Sequence, residues 1–280
     1  MKAFVSLDLE GLPHVVSGEH LHVKGVLYSE ARRIATDVVT TVAKTLHENG
    51  FDEVVVADSH GPMVNILATE VPGYVRLVRG SPRPLSMVAG AKGSEFAIFL
   101  GYHAKAGSWR ATFDHTYSSS TIDGLEINDV EVSETLLNAY LLGEWRIPVG
   151  MVAGDRTLIE DDVAKRLPWA VRVTMKESIS RYSSMSPGMD EVRRLLREGT
   201  LEAVKRWKDG GLKPLTTEKP VKVKLRFLNS ASADTAELLP NISRLDGKTV
   251  EFEARNVEEA YKVVELLVLA SAGVSSIVNR

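Results

Sequence analysis

Two carboxylates lie two residues apart near the start of the chain. Residues 4–7 form an apolar run typical of a buried strand, and Asp8 and Glu10 follow it directly. In extended backbone this spacing points both side chains to the same side, where their charges repel unless a positive group lies between them. Gly11 then allows a sharp turn or the close approach of another group to the backbone. A metal ion is the leading candidate for the positive group.

Two histidines follow other predicted strands in the same way. His60 comes shortly after the apolar run at residues 53–57, and His103 comes shortly after the run at residues 96–100. The strands are nearly continuous in apolar residues and alternate with predicted helices, which is typical of a parallel sheet. Ligands of such sheets bind beyond the carboxyl ends of the strands. The sequence therefore predicts that these histidines meet the two carboxylates at one edge of the sheet.

A glutamate and a third histidine complete the candidate site. Glu134 lies in the first turn of a helix predicted over residues 132–143, and His115 lies in a loop predicted to be irregular over residues 104–128. A mixed set of imidazoles and carboxylates suits one or two divalent cations, and two cations could share a carboxylate. The candidate metal ligands are Asp8, Glu10, His60, His103 and Glu134.

Each candidate also has an ordinary structural explanation. A carboxylate at a strand end can cap a turn or form an ion pair, and a glutamate in a first helical turn is favoured by the helix dipole. The dispersed spacing is less specific than a compact HExxH motif, which the chain lacks. Lys176 and Arg181 could attract an anionic substrate group or be surface charges. The remaining histidines of the first loop are expected to be exposed or to face substrate: His14, His20 and His22.

Composition excludes several other classes of protein. The 280 residues carry a net charge of −3 and contain no cysteine. There is no basic patch for nucleic acid, and disulfides and thiolate metal sites are ruled out. The N-terminus enters a strand without the pattern of a signal peptide, and the most apolar run, residues 263–272, is too short to span a bilayer. We therefore expect a cytoplasmic protein with no membrane partner.

The predicted fold is an α/β sheet, mostly parallel with helices on both faces, followed by a smaller α+β module. The stretch over residues 210–220 is rich in glycine, lysine, threonine and proline and is the best boundary in the chain. It divides a metal-site domain, residues 1–212, from the C-terminal module, residues 213–280. The loop over residues 104–130 could pack with the second module.

Several motifs together resemble the zinc-dependent D-aminopeptidases, and the resemblance covers nearly the full length of the chain. The matching segments are Asp8-Leu9-Glu10-Gly11, Asp58-Ser59-His60, Gly101-Tyr102-His103-Ala104, Asp114-His115, Ser133-Glu134 and Ala153-Gly154-Asp155. One departure is Ser133, where the family has glycine before the glutamate.

The resemblance implies two zinc ions per subunit and a role for each candidate residue. Asp8 would be shared, Glu10 and His103 would complete one site, and His60 and Glu134 the other. His115, not counted among the ligands, corresponds to the catalytic residue of the family, acting as nucleophile or as general acid/base. Cobalt or manganese would also suit these ligands.

The same resemblance implies an activity and an assembly. The expected reaction is hydrolysis of the N-terminal peptide or amide bond of short peptides, with a preference for D-amino acids, inside a homo-oligomer that is a ring-like decamer. Two alternatives stay open at this point. One is a dimetal amidohydrolase or phosphoesterase acting on another small substrate, and the other is a peptide-binding relative without enzymatic activity.

Overall fold

Two sheets and eight α-helices make up the computed structural model, which describes residues 1–278. The strands are β1 (Lys2–Leu7), β2 (Glu53–Asp58), β3 (Val75–Val78), β4 (Ala97–Tyr102), β5 (Ile122–Ile127), β6 (Val130–Glu131), β7 (Val149–Asp155), β8 (Val171–Ser180), β9 (Ser183–Met185), β10 (Val221–Phe227), β11 (Ser243–Arg244) and β12 (Thr249–Ala254). The helices are α1 (Gly18–Leu21), α2 (Tyr28–Glu48), α3 (Glu134–Glu144), α4 (Arg156–Leu158), α5 (Ala164–Arg166), α6 (Met189–Lys208), α7 (Ser230–Ala236) and α8 (Val257–Val278). Short 3₁₀ turns lie at Ala68–Glu70 and Ser86–Val88, and a π-helical turn, Ile159–Val163, joins α4 to α5.

The larger sheet has the strand order β3-β2-β1-β4-β7-β8-β9, and every neighbouring pair is parallel except β8 and β9. Both of its faces are buried. In β1, Phe4 packs toward the cluster that includes α3 and α8, while Val5 packs toward the cluster under α2 and α6. A strand covered on both sides has no wet face, which explains its continuous apolar run. The predicted fold class is confirmed.

The smaller sheet is antiparallel, with the order β11-β12-β10-β5-β6. Strand β5 lies inside the segment that the sequence predicted to be irregular, and for β5 that prediction is wrong. Asp123 and Gly124 interrupt the apolar positions of β5 and imitate a turn, whereas the pairing with β10 supplies the missing hydrogen bonds. Residues 122–131 thus share a sheet with residues 221–254. The division after residue 212 stays a prediction.

Helix α8 packs against α3, α7 and strands β10 and β12 of the smaller sheet. By length and composition, Val257–Ile277 would be able to cross a membrane. Tyr261 and Val264 are buried in the hydrophobic cluster shared by both sheets, while Leu266 and Leu269 are about half exposed. A helix packed on a sheet by one apolar face has the same composition, so this feature carries no conclusion about a membrane.

Gly11 lets two strand ends approach each other closely. Its backbone N–H donates to the carbonyl of Gly101 at 2.7 Å. A Cβ atom placed on Gly11 would lie 1.9 Å from the carbonyl oxygen of Tyr102, a distance that atoms cannot share. The close approach that the sequence allowed for at this glycine is therefore present, and it holds the segment after β1 against the end of β4.

Replacing Gly11 by alanine should therefore destabilise the protein. Because backbone rather than a flexible side chain would have to move, we expect the Gly11→Ala change to lower the free energy of unfolding by about 1–3 kcal/mol. Urea unfolding followed by circular dichroism measures this. Gly18→Ala is the matched control, since nothing lies within 4 Å of a Cβ at that position. Equal effects of the two changes would contradict the explanation.

Candidate metal centre

The larger sheet brings the predicted ligands together. Asp8 follows β1 directly, His103 follows β4 directly, and His60 lies two residues beyond β2. Because β2, β1 and β4 are neighbours and parallel, their carboxyl ends meet at one edge. Glu134 is the first residue of α3, and its position is fixed by Ser133, whose hydroxyl accepts a hydrogen bond from the backbone of Leu136 at 3.3 Å. Serine at this position therefore serves as an N-cap.

His60 lies against the two carboxylates that follow β1. Its Nδ1 is 2.8 Å from Oε2 of Glu10 and 3.4 Å from Oδ1 of Asp8. Both carboxylates are buried, with 5% and 3% of their surface exposed. Asp8 and Glu10 therefore point to the same side, as their spacing in the sequence predicts.

His103 and His115 share the carboxylate of Glu134. Its Oε1 is 3.5 Å from Nε2 of His103 and 3.4 Å from Nε2 of His115, and the two rings are stacked with centroids 4.3 Å apart. Nε2 of His103 is also 3.5 Å from Oδ2 of Asp8, which joins this group to the carboxylates after β1. All six residues singled out from the sequence therefore form one cluster.

Within this cluster two groups of three could each hold a cation. Their ligand atoms lie within 4.8 Å of one another, and the groups are Asp8, Glu10 and His103, and His103, His115 and Glu134. The first group has the three residues that the resemblance implies for one zinc ion. The second contains His115, which the sequence does not predict as a ligand, whereas His60, a predicted ligand, belongs to neither group and lies beside Glu10. The assignment of each ligand stays a prediction.

Each of the three histidines in the cluster has one ring nitrogen that is hydrogen-bonded to a backbone carbonyl. The carbonyl partners are Leu21 for Nε2 of His60, Ala104 for Nδ1 of His103 and Phe113 for Nδ1 of His115, at 3.0, 3.0 and 2.8 Å. A carbonyl can only accept, so these nitrogens carry hydrogen, and the other nitrogen of each ring faces the carboxylates. Histidines that bind metals are oriented in this way.

Two atoms at the centre of the cluster are buried without a hydrogen-bond partner among residues 1–278: Oδ2 of Asp8 and Nε2 of His103. Leaving such an atom unpaired costs about 1–3 kcal/mol. Both are ligand atoms, and a cation between them would satisfy both at once. Nitrogen and oxygen donors of this kind fit zinc. The residues present therefore fit a bound metal.

Burial and neighbouring charge shift the pKa values of the central pair upward. Burial, reinforced by the charge of Glu10, raises the pKa of Asp8 to about 8. For His103, burial works to lower the pKa, but the negative charge of nearby Glu134 outweighs it and raises that pKa to about 10. Without a metal, the centre therefore retains protons that free side chains would release.

The pKa values of the other residues in the cluster are set by burial and by the charges of their neighbours. Burial works to raise the pKa of Glu10, yet the charge and hydrogen bond of His60 hold it well below its usual range. Burial works to lower the pKa of His60, yet the charge and hydrogen bond of Glu10 hold it well above its usual range. Burial and the charge of His103 both lower the pKa of His115. His115 is thus the imidazole of the cluster that is most easily kept neutral.

The segment that carries His115 is fixed on both sides. Ahead of it, the backbone N–H of Thr112 donates to the hydroxyl of Ser178 at 2.8 Å, and that of Phe113 donates to the carbonyl of Arg181 at 3.0 Å. Beyond it, the backbone N–H of Tyr117 donates to Oε1 of Glu134 at 2.7 Å. Sequence reasoning missed Tyr117, because any residue offers a backbone N–H and nothing in the sequence marks its left-handed φ of 63°.

A cavity of about 630 Å³ opens over the cluster. Arg181 lines it and is paired with Asp114, so its charge is already partly offset. Lys176 does not line it and is fully buried, so it is neither the surface charge nor the anion-binding group considered from the sequence. Of the early histidines, His22 lines the cavity and His14 is exposed, as expected.

The expectation for His20 is wrong. Its side chain is buried, and its Nδ1 accepts a hydrogen bond from the backbone of Ser17, which caps α1 in return. A capping role needs only a ring nitrogen three residues after the cap, a pattern that is not specific enough to recognise in sequence.

Comparison with known proteins gives a consistent result. The model of a peptidase family described as D-aminopeptidase matches residues 1–266. A D-aminopeptidase of Bacillus subtilis (strain 168) is 33% identical over 270 residues, which cover 94% of this chain and 95% of the relative. A solved structure, a zinc-dependent D-aminopeptidase from Bacillus subtilis described as a self-compartmentalizing protease, matches with a TM-score of 0.91 at 30% identity. It covers 96% of this chain, and the match spans 97% of the solved chain.

The retained protons predict how the stability of the metal-free protein depends on pH. The folded pKa values of Asp8 and His103 are raised, so the stability that these groups contribute is present at low pH. It is lost as pH rises toward about 8 for Asp8 and about 10 for His103. From pH 6.5 to pH 8 the free energy of unfolding should fall by about 2 kcal/mol for each proton retained. Urea unfolding in the presence of a chelator measures this.

Zinc provides the control for this experiment. A bound cation replaces the protons, so added zinc should remove the fall in stability between pH 6.5 and pH 8. Metal-free protein whose stability is the same at both pH values would contradict the electrostatic description of the centre.

Proposed function

Because the chain belongs to the D-aminopeptidase family and is a peptidase, we propose that it is a dinuclear zinc aminopeptidase acting on short peptides. It hydrolyses the N-terminal peptide or amide bond and prefers a D-amino acid at that position. The observation that carries the proposal is the pair of buried, unpaired atoms, Oδ2 of Asp8 and Nε2 of His103, at the centre of an imidazole and carboxylate cluster.

The predicted ligand set would hold the metal. In this proposal Asp8 would be shared by two zinc ions, Glu10 and His103 would complete one site, and His60 and Glu134 would complete the other. When bound, zinc supplies Lewis-acid polarisation of the scissile carbonyl. The hydrogen bonds from the histidines to backbone carbonyls keep the rings turned toward the ligand cluster, so little reorganisation is needed on binding.

His115 acts as the general acid/base in this proposal. Its Nδ1–H is held by the carbonyl of Phe113, which leaves the lone pair on Nε2 facing Glu134 and the cavity. Its lowered pKa keeps the ring neutral, so Nε2 can accept a proton from the attacking water. The same atom can then return the proton to the leaving amine.

The cavity suits a short peptide with a free amino terminus. Its volume of about 630 Å³ is that of a small-molecule site. Asp8, Glu10 and Glu134 line it, but bound zinc would neutralise their charges, so the α-ammonium of the substrate needs a carboxylate outside the ligand set. Glu265 lines the cavity and is not a proposed ligand, and its carboxylate could pair with that ammonium, which would favour an aminopeptidase over an endopeptidase.

Assembly and location are extensions of the same proposal. The likeness to a self-compartmentalizing protease supports a homo-oligomer. That the homo-oligomer is a decamer rests on the family resemblance of the sequence alone. A ring of subunits around a cavity would restrict substrates to short peptides. The cytoplasmic location stays a prediction of the sequence.

Replacing His115 by alanine should abolish turnover without loss of zinc. The change removes the group that moves the proton but leaves the predicted ligands in place. We expect kcat to fall by a factor of about 100 to 10,000 and the zinc content to stay unchanged. His14→Ala is the control, because His14 is an exposed histidine outside the cluster. Loss of zinc from His115→Ala would instead make His115 a ligand, as its place beside Glu134 allows.

Cleavage of paired D- and L-alanyl amides, combined with metal analysis, tests the proposed reaction. We expect two zinc ions per subunit, faster cleavage of the D-substrate, and loss of activity on chelation that zinc restores. Phosphate esters serve as the comparison substrates. Preference for a phosphate ester would replace the proposed substrate class, and one zinc ion per subunit would contradict the dinuclear centre.

A further inference from the structure

A buried ammonium lies directly behind the candidate metal centre. Lys176, near the middle of β8, has no exposed surface. Lysine is almost never fully buried unless its charge is paired or hydrogen-bonded. The described residues place no carboxylate within ion-pair distance of its Nζ, so its donors are used in another way.

The ammonium holds the backbone of the segment that follows β1. Nζ donates one hydrogen bond to the carbonyl of Glu10 and another, at 2.7 Å, to the carbonyl of Val15. These carbonyls bracket the stretch in which the chain leaves the sheet. Lys176 thus fixes the main chain of a predicted ligand rather than its carboxylate.

The same ammonium contacts the segment that carries His115. Nζ lies 6.0 Å from the ring centroid of Phe113, a distance at which a cation is attracted to an aromatic face. The carbonyl of Phe113 accepts the hydrogen bond from Nδ1 of His115. The backbone N–H of Phe113 donates to the carbonyl of Arg181. One charged group therefore touches both the ligand segment and the residue that orients the proposed acid/base.

The charge of Lys176 by itself would oppose metal binding. It lies close enough to Glu10 and Asp8 for their charges to affect it, and Asp155, its register partner on β7, offsets part of its own charge. A positive charge beside a cation site repels the cation. If charge were its only contribution, removing it would tighten zinc binding. The hydrogen bonds to the backbone act in the opposite direction.

We propose that Lys176 is a positioning residue that holds the Glu10 segment and the His115 segment in register for metal binding and turnover. The proposal rests on the proposed zinc aminopeptidase function for its kinetic part only. Its contribution is geometric, through the two backbone carbonyls and the Phe113 ring. Lys176 touches neither substrate nor metal in this assignment, since it lies outside the cavity.

Lys176→Met tests the proposal, because methionine fills similar space without donors or charge. The zinc dissociation constant should rise about 10- to 100-fold, the range found when groups that orient metal ligands are removed. In the loaded enzyme kcat should fall by a similar factor, with KM changed by less than about threefold. The control is Lys222→Met, which removes an exposed lysine paired with Glu251 on the smaller sheet and should change neither quantity.

Each alternative has its own result. Tighter zinc binding by Lys176→Met would show that charge alone matters and would overturn the proposal. A lower melting temperature with unchanged zinc affinity and kcat would reduce Lys176 to a purely structural role and would also overturn it. If the methionine variant does not fold, Lys176→Gln decides, since it keeps donors for the two carbonyls and loses the charge. That variant should bind zinc as tightly as the wild type or more tightly and should keep most of kcat, whereas a zinc dissociation constant raised about 10-fold or more would overturn the proposal, because it would make the charge and not the hydrogen bonds the contribution of Lys176.

Failure of the proposed function gives a different pattern. Wild-type protein that binds zinc but cleaves no peptide would contradict the aminopeptidase assignment. The zinc dissociation constants of the variants would still test the positioning of the Glu10 segment, because that measurement needs no substrate.

Discussion

The constraint on which the site depends is the burial of three carboxylates within a few ångströms of one another. Asp8, Glu10 and Glu134 are each at least 95% buried, so little solvent reaches them to screen their charges. Such a set is tolerated only where positive charge is held among them. Imidazoles supply part of it, as the raised pKa of His60 and that of His103 show. The orphaned atoms at the centre mark where a cation supplies the rest.

The fold meets this constraint with rigid parts. Parallel strands deliver ligands to one edge, glycine allows the strand ends to approach, and a capped helix brings a glutamate from the other side. Backbone groups do most of the positioning: carbonyls orient the rings, the N–H of Tyr117 holds Glu134, and carbonyls accept from Lys176. Positioning by backbone groups limits the reorganisation that metal binding would require, which favours tight binding.

Much of the fold and of the cluster could be predicted from the sequence because the signals are local. A strand buried on both faces must be a continuous apolar run, and ligands at the ends of such runs must share an edge. Strand β5 was missed because Asp123 and Gly124 imitate a turn, and only the partner strand β10 shows that they do not form one. His20 was misjudged because a cap depends on side-chain direction, which residue type alone does not specify.

The sequence by itself determined the α/β class, the six residues of the cluster and, through its motifs, the D-aminopeptidase family. These follow from residue type and order along the chain, which folding does not change. Tertiary structure decided which residues are neighbours: it placed His60 beside Glu10, stacked His115 on His103, and buried Lys176 behind the site. The physical reason is that burial, charge and hydrogen bonding between distant segments depend on distances of a few ångströms, which spacing along the chain does not contain.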